Sequence, residues 1–211
     1  MFLVLMVCPL KVYGQDYGAI YKYVSEVPQK YENNMMSLVK YLVRPCKTDL
    51  QKAMVIFAWI SLNVEYDDNK RELIQRKNRG YSWEKGKSKN WRVNNTWNTK
   101  TGVCEDIAQL YKELLSYANI RSEYVLGYAG RGLNKRNYKD QGHAWNVVYA
   151  DGKRILVDPT WGNQGDSINY AWFDVDPETM IKTHYPKEQK WQLLSSPYSL
   201  SRFLSQNENE R

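Results

Sequence analysis

A chain of 211 residues with 43% hydrophobic and 25% charged side chains can bury one sizeable core and has the composition of an ordinary globular domain. Its net charge of +7 comes with no Lys/Arg-striped helix and no nucleic-acid motif, so nucleic acid is not an expected partner. Three cysteines are too few for a disulfide framework, two histidines with scattered cysteines make no zinc signature, and no phosphate-binding glycine loop occurs, so neither metal nor cofactor is expected.

The chain opens on the apolar run Phe2-Leu-Val-Leu-Met-Val-Cys-Pro-Leu10, followed by Val12-Tyr13-Gly14. Residues 1–14 read as a signal peptide-like segment, cleaved between Gly14 and Gln15. The competing reading is a buried N-terminal strand. The run is too short to span a bilayer, so no stable membrane insertion is expected. Export makes the expected location secreted or periplasmic. Residues 15–211 contain no clear linker, repeat or low-complexity stretch and read as a single domain.

Ile20, Tyr21 and Val24 fit one helical turn before Pro28. Leu38, Val39, Leu42 and Val43 form a second short apolar face that ends before Pro45. Thr48-Asp-Leu-Gln51 has the form of a capping box. The helix it starts, Lys52 to Leu62, is apolar on more than one side and reads as a core helix. Arg71–Lys77 fits an exposed helix. Residues 81–97 read as an aromatic loop, marked by Gly86, Asn90, Asn94 and Asn95 and carrying Trp83, Trp91 and Trp97. Such a loop is either pinned on the core or one wall of a cleft.

From Thr101 to Ala118 the pattern is an amphipathic helix, with Ile107, Leu110, Tyr111, Leu114, Leu115 and Ala118 on one face. Cys104 falls at its N-terminus, where free N–H groups and the helix dipole favour a thiolate. Three strand-like runs follow: Ser122–Ala129, His143–Tyr149 and Arg154–Pro159. Asp151-Gly152 joins the last two as a two-residue hairpin turn. The tail from Trp172 to Leu204 reads as irregular. Helices first and an antiparallel sheet second give an α+β fold.

Cysteine chemistry needs a nucleophile, a base that takes and returns its proton, and a group that orients the base. Cys104 on the helix, His143 on a strand and Asp158 on the next strand supply the three. In the register set by the turn, Asp158 is the diagonal neighbour of His143 on one face. The plainer readings are a buried cysteine, a structural histidine and an aspartate that caps a turn. Glu105 and Asp106 directly after the cysteine oppose a thiolate electrostatically but suit a helix start.

At these residues the chain resembles the transglutaminase-like superfamily of papain-type cysteine enzymes. The matching pieces are Gly102-Val-Cys104, Gly142-His-Ala-Trp-Asn146 and Leu156-Val-Asp-Pro-Thr-Trp161, preceded by Tyr66-Asp67. The stretch from Phe173 through His184-Tyr-Pro186 to Leu194 is similar to the branch that includes kyphoscoliosis peptidase and bacterial relatives. The resemblance covers a core of about residues 48–195. It implies a papain-like α+β core in which a central helix carrying the nucleophile packs on an antiparallel sheet. It implies Cys104 as nucleophile, His143 as base and acid, and Asp158 as orienting acid. Tyr66 is an oxyanion candidate beside the Cys104 N–H, and His184 reads as structural. The implied activity is acyl transfer through a thioester, as a thiol protease or amidase or as a transglutaminase. The expected partner is a protein, peptide or peptidoglycan-like amide. The alternative is a catalytically degenerate domain that acts as a binding or scaffold module.

Overall fold

The capping box at Thr48 forms and sets the central helix of the molecule. In the computed structural model, which describes residues 16–77 and 88–209, Thr48 Oγ1 accepts from the Gln51 N–H at 3.3 Å and Gln51 Oε1 accepts from the Thr48 N–H at 3.3 Å. The expected signal segment 1–14 lies outside the described residues, as does Trp83.

Helices α1 (Tyr17–Ser25), α2 (Met35–Leu42) and α3 (Asp49–Asn63) come first. Asp16 and Asn34 cap α1 and α2 with side-chain oxygens. Helix α3 is buried on nearly every side, as its sequence predicts, with Ile56, Phe57 and Trp59 inaccessible to solvent. Strand β1 (Glu65–Tyr66) follows, then α4 (Asp68–Lys77), α5 (Lys89–Thr99), β2 (Thr101–Gly102) and α6 (Cys104–Tyr117).

The second half is a sheet built from β3 (Ser122–Ala129), β4 (Gly142–Ala150), β5 (Lys153–Val157), β6 (Phe173–Val175) and β7 (His184–Pro186). Between and after them come α7 (Pro159–Gly162), α8 (Pro177–Met180) and α9 (Leu200–Asn209). The strand order is β6-β5-β4-β3-β7, with every neighbouring pair antiparallel. Side chains alternate across the sheet. Val148, Ala150, Ile155 and Val157 join the main core with α3 and α6, while Trp145, Val147 and Leu156 pack on the opposite face with Met180. The fold is thus α+β, with a central helix against an antiparallel sheet.

Three sequence expectations are corrected. Residues 89–97 of the expected loop lie in helix α5, because Ser88 caps it and Val93, Thr96 and Trp97 are buried at helical spacing. The Trp97 ring lies 5.7 Å from Trp59, so packing on the core overrides the low helix propensity of the asparagines. The returning strand stops at Val157, because Asp158 and Pro159 start α7 instead. The tail is not irregular, since it supplies both edge strands of the sheet and a final helix.

Candidate active site

Cys104 is the first residue of α6, and the chain reaches it through a two-residue parallel ladder. Tyr66 on β1 pairs with Gly102 on β2, which brings the tyrosine beside the helix start. A Cβ on Gly102 would sit 2.8 Å from Asp106 Cβ and 3.2 Å from Thr96 Cγ2, so glycine alone fits this approach.

The two acids after the cysteine have their own cations. Asp106 is wholly buried; its Oδ2 accepts from the Val103 N–H at 3.1 Å and from Lys70 Nζ at 2.7 Å. Glu105 lies 3.3 Å from Arg92 Nη1, which is also 3.9 Å from Asp106 Oδ1. The charge expected to oppose a thiolate is therefore offset on the spot. Lys70 carries no signal of this role in the sequence, where it sits in a polar run.

The hairpin takes the predicted register. Asp151 and Gly152 have φ of 48° and 78°, the paired left-handed conformation of a two-residue turn. Ala150 pairs with Lys153 and Asn146 with Val157. Asp151 also accepts from the N–H groups of Asp49 and Leu50 at 3.0 and 3.3 Å, which ties the turn to the start of α3. One step beyond the ladder, the buried Asp158 divides its two oxygens. Oδ1 accepts from the N–H groups of Thr160 and Trp161 at 2.9 and 3.0 Å and caps α7. Oδ2 lies 2.6 Å from His143 Nε2 and 3.0 Å from His184 Nε2. The cap and the histidine partner, rival readings of one residue, are both present.

With Nε2 of His143 on Asp158, Nδ1 is the ring nitrogen left to serve Cys104, which lines the same cleft. Burial disfavours the imidazolium, but Asp158 and Cys104 outweigh it and raise the His143 pKa from 6.5 to about 10. Burial would raise the Asp158 carboxyl, yet His143 and His184 hold it well below the usual carboxylate range. Burial wins at His184, which falls from 6.5 to about 4 despite Asp158.

Cys104 and His143 line a cleft of about 430 Å³ with Tyr66, Arg71, Gly127 and Lys139. Tyr66 is half-buried, and its hydroxyl is 3.4 Å from Arg71 Nη1. Burial raises its phenol, and the charge of Cys104 adds to this. The structure thus gathers all four candidate residues. The Trp91–Trp97 segment does not line this cleft.

His184 is the residue that sequence reasoning underrated. Its signal was the short run Thr183-His-Tyr-Pro186, which forms the edge strand β7 against β3. The fold also gathers both histidines, which the sequence treated as separate. One ring nitrogen each of His143 and His184 and an oxygen of the Asp158 carboxylate lie within 4.8 Å of one another. His143 Nε2 and Asp158 Oδ2, at 2.6 Å, are closer than two ligands each about 2.0–2.1 Å from a tetrahedral zinc. The set fits hydrogen bonding.

A cysteine on a helix start, a histidine on a strand and an acid after the next strand define the class of papain-like cysteine folds. Residues 36–177 match the transglutaminase-like superfamily, and the chain belongs to it. The chain is 29% identical to human kyphoscoliosis peptidase over 201 residues, covering 90% of this chain and 28% of that protein. It is 27% identical to Drosophila melanogaster hillarin over 211 residues, covering 84% of this chain and 23% of that protein. The chain therefore spans about a quarter of the length of these relatives. Among solved structures, a cysteine-protease candidate from Cytophaga hutchinsonii aligns with a TM-score of 0.43 at 21% identity, over 74% of this chain and 45% of that one. A TGase aligns with a TM-score of 0.44 at 12% identity, over 68% and 32%.

Proposed function

We propose that this domain is a cysteine-dependent acyl-transfer enzyme acting on peptide or cell-wall-type amides. The observation that carries the reading is His143, hydrogen-bonded to the buried Asp158 and lining one cleft with Cys104. In the first half-reaction Cys104 Sγ bonds to the amide carbonyl carbon. The oxyanion sits near the free Cys104 N–H and the Tyr66 hydroxyl. The C–N bond then breaks, and the His143 imidazolium gives its proton to the departing amine. A thioester remains. In the second half, water or an amine attacks the thioester while His143 takes the incoming proton, and Cys104 leaves as the thiolate. Asp158 stays ionised throughout and holds the ring. Water as acceptor makes the enzyme a protease or amidase, and an amine makes it a transglutaminase.

Cys46 provides an internal control, because burial pushes its thiol up to about 12. Iodoacetamide at pH 6–7 is expected to label Cys104 much faster than Cys46. Equal rates, or a protected Cys104, would overturn the enzymatic reading in favour of a binding module. A peptide screen read by mass spectrometry, with and without added amine, then assigns substrate and acceptor.

A further inference from the structure

His184 is buried, titratable and not used by the chemistry above. It lies on edge strand β7, remote in sequence from the hairpin, yet its Nε2 meets the same Asp158 oxygen as His143. Its other nitrogen, Nδ1, is 2.7 Å from Thr183 Oγ1. The contact with Asp158 fixes the tautomer. A carboxylate oxygen only accepts, so Nε2 carries the hydrogen, and Nδ1 then accepts from the Thr183 hydroxyl. The ring is enclosed by Trp161, Trp145 and Trp172, with centroids 4.4, 5.2 and 5.2 Å away.

From this geometry we infer that His184 is a positioning residue, a neutral, water-excluding donor that Thr183 anchors through Nδ1 to fix the Asp158 carboxylate for His143. The inference rests on the proposed Cys104–His143–Asp158 chemistry for its consequence, but its geometry stands without it. Each alternative donor fails on a physical ground. A water at this place would have to enter a pocket walled by three indoles. A lysine or arginine would bring a permanent positive charge next to His143 and oppose the imidazolium. An uncharged histidine donates one hydrogen bond and adds no charge. Among the described residues, Asp158 and His143 are the titratable groups that act on it. Burial keeps it uncharged, with its pKa lowered to about 4. A hydrogen bond to a carboxylate favours the ionised form. Without it, Asp158 takes a proton at higher pH, and His143 then loses the partner that stabilises its charged state.

The test has an arm on the unaltered protein. The chain has two histidines, so ¹⁵N–¹H correlation spectra of the imidazoles are simple to assign. His184 is expected to show a protonated Nε2 and a bare Nδ1 from pH 5 to 9, without titrating. A protonated Nδ1, or titration at an ordinary histidine pH, overturns the inference whether or not Cys104 reacts. The second arm follows the alkylation rate of Cys104 against pH. His184→Leu should move the acid limb up by about one to two pH units, the effect of one hydrogen bond to a charged group. His184→Gln, whose amide nitrogen can occupy the place of Nε2, should stay close to the unaltered profile. Leu and Gln variants that fold and share one profile, shifted or not, reduce His184 to packing. If the Leu variant does not fold, Thr183→Val replaces it. That substitution removes the hydrogen bond that anchors the ring at Nδ1, and it must shift the acid limb in the same direction for the inference to stand.

Discussion

Asp158 has two oxygens and four donors on them, and each oxygen has a separate task. Oδ1 closes the first turn of α7 through the Thr160 and Trp161 N–H groups, and Oδ2 receives the two imidazoles. Asp158→Asn tests the division. An asparagine oxygen can keep the cap, so the fold should survive, as circular dichroism will show. Its amide nitrogen, however, is a donor where Oδ2 was an acceptor. His143 can meet it only with a bare Nε2, which moves the ring proton to Nδ1, the atom needed by Cys104. Turnover should fall by up to ~10⁴, the loss seen when the equivalent substitution imposes the wrong tautomer. Cys104 alkylation should slow toward that of an ordinary thiol. An Asn variant with unimpaired alkylation and turnover would remove Asp158 from the chemistry. Asp158→Ala also loses the cap and should cost about 0.5–2 kcal/mol more in stability.

At the level of elements, the start of α6 is held from three sides. β1 and β2 deliver the chain, Gly102 permits the close approach, and the Lys70–Asp106 pair joins α4 to the helix N-terminus. Lys70→Met would leave the fully buried Asp106 without its ammonium partner, at a cost of about 3–5 kcal/mol. Arg92→Met, at the more exposed pair with Glu105, should cost less than about 1 kcal/mol. Urea midpoints of the two variants check the contrast; equal midpoints would mean that the buried pair does not anchor α6. The sequence revealed those parts whose signal is local. The Thr48 capping box, the α6 stripe and the Asp151-Gly152 turn each lie within a few residues, and the register from that turn brings His143 to Asp158. The missing parts depend on distant partners. Asparagines in α5 hide a helix that exists because Trp97 packs on Trp59. Strands β6 and β7 have three residues each, too few for a periodic pattern, and owe their place to neighbours in the sheet. The pairing of Lys70 with Asp106 spans 36 residues, and that of His184 with Asp158 spans 26.

At the scale of the whole molecule, residues 1–14 lie outside the described structure, and their removal on export remains our proposal. N-terminal sequencing of natively expressed protein should find Gln15 first; intact Met1 in the cytoplasm would overturn it. The folded domain itself should respond to pH in a way set by its buried cluster. His143 has its pKa raised from 6.5 to about 10, so folding gains from its proton. That contribution is full below pH 6.5 and is lost as pH rises from 6.5 to about 10. His184 has its pKa lowered from 6.5 to about 4, so its protonation favours the unfolded chain. Stability is therefore lost as pH falls from 6.5 towards 4. Asp158 is lowered from 3.8, and its contribution is full above that value and lost below it. The three together place the stability maximum of this cluster near pH 6.5, with a decline on either side. Urea midpoints measured from pH 4 to 10 at constant m-value follow it. Other carboxylates also contribute on the acid side, so the His184 part is isolated by difference. His184→Gln removes the titrating ring but keeps a donor, and its midpoint should fall less than that of the unaltered protein between pH 6.5 and 4. On the alkaline side, a midpoint that does not move between pH 7 and 9.5 would mean that His143 is not charged in the folded protein.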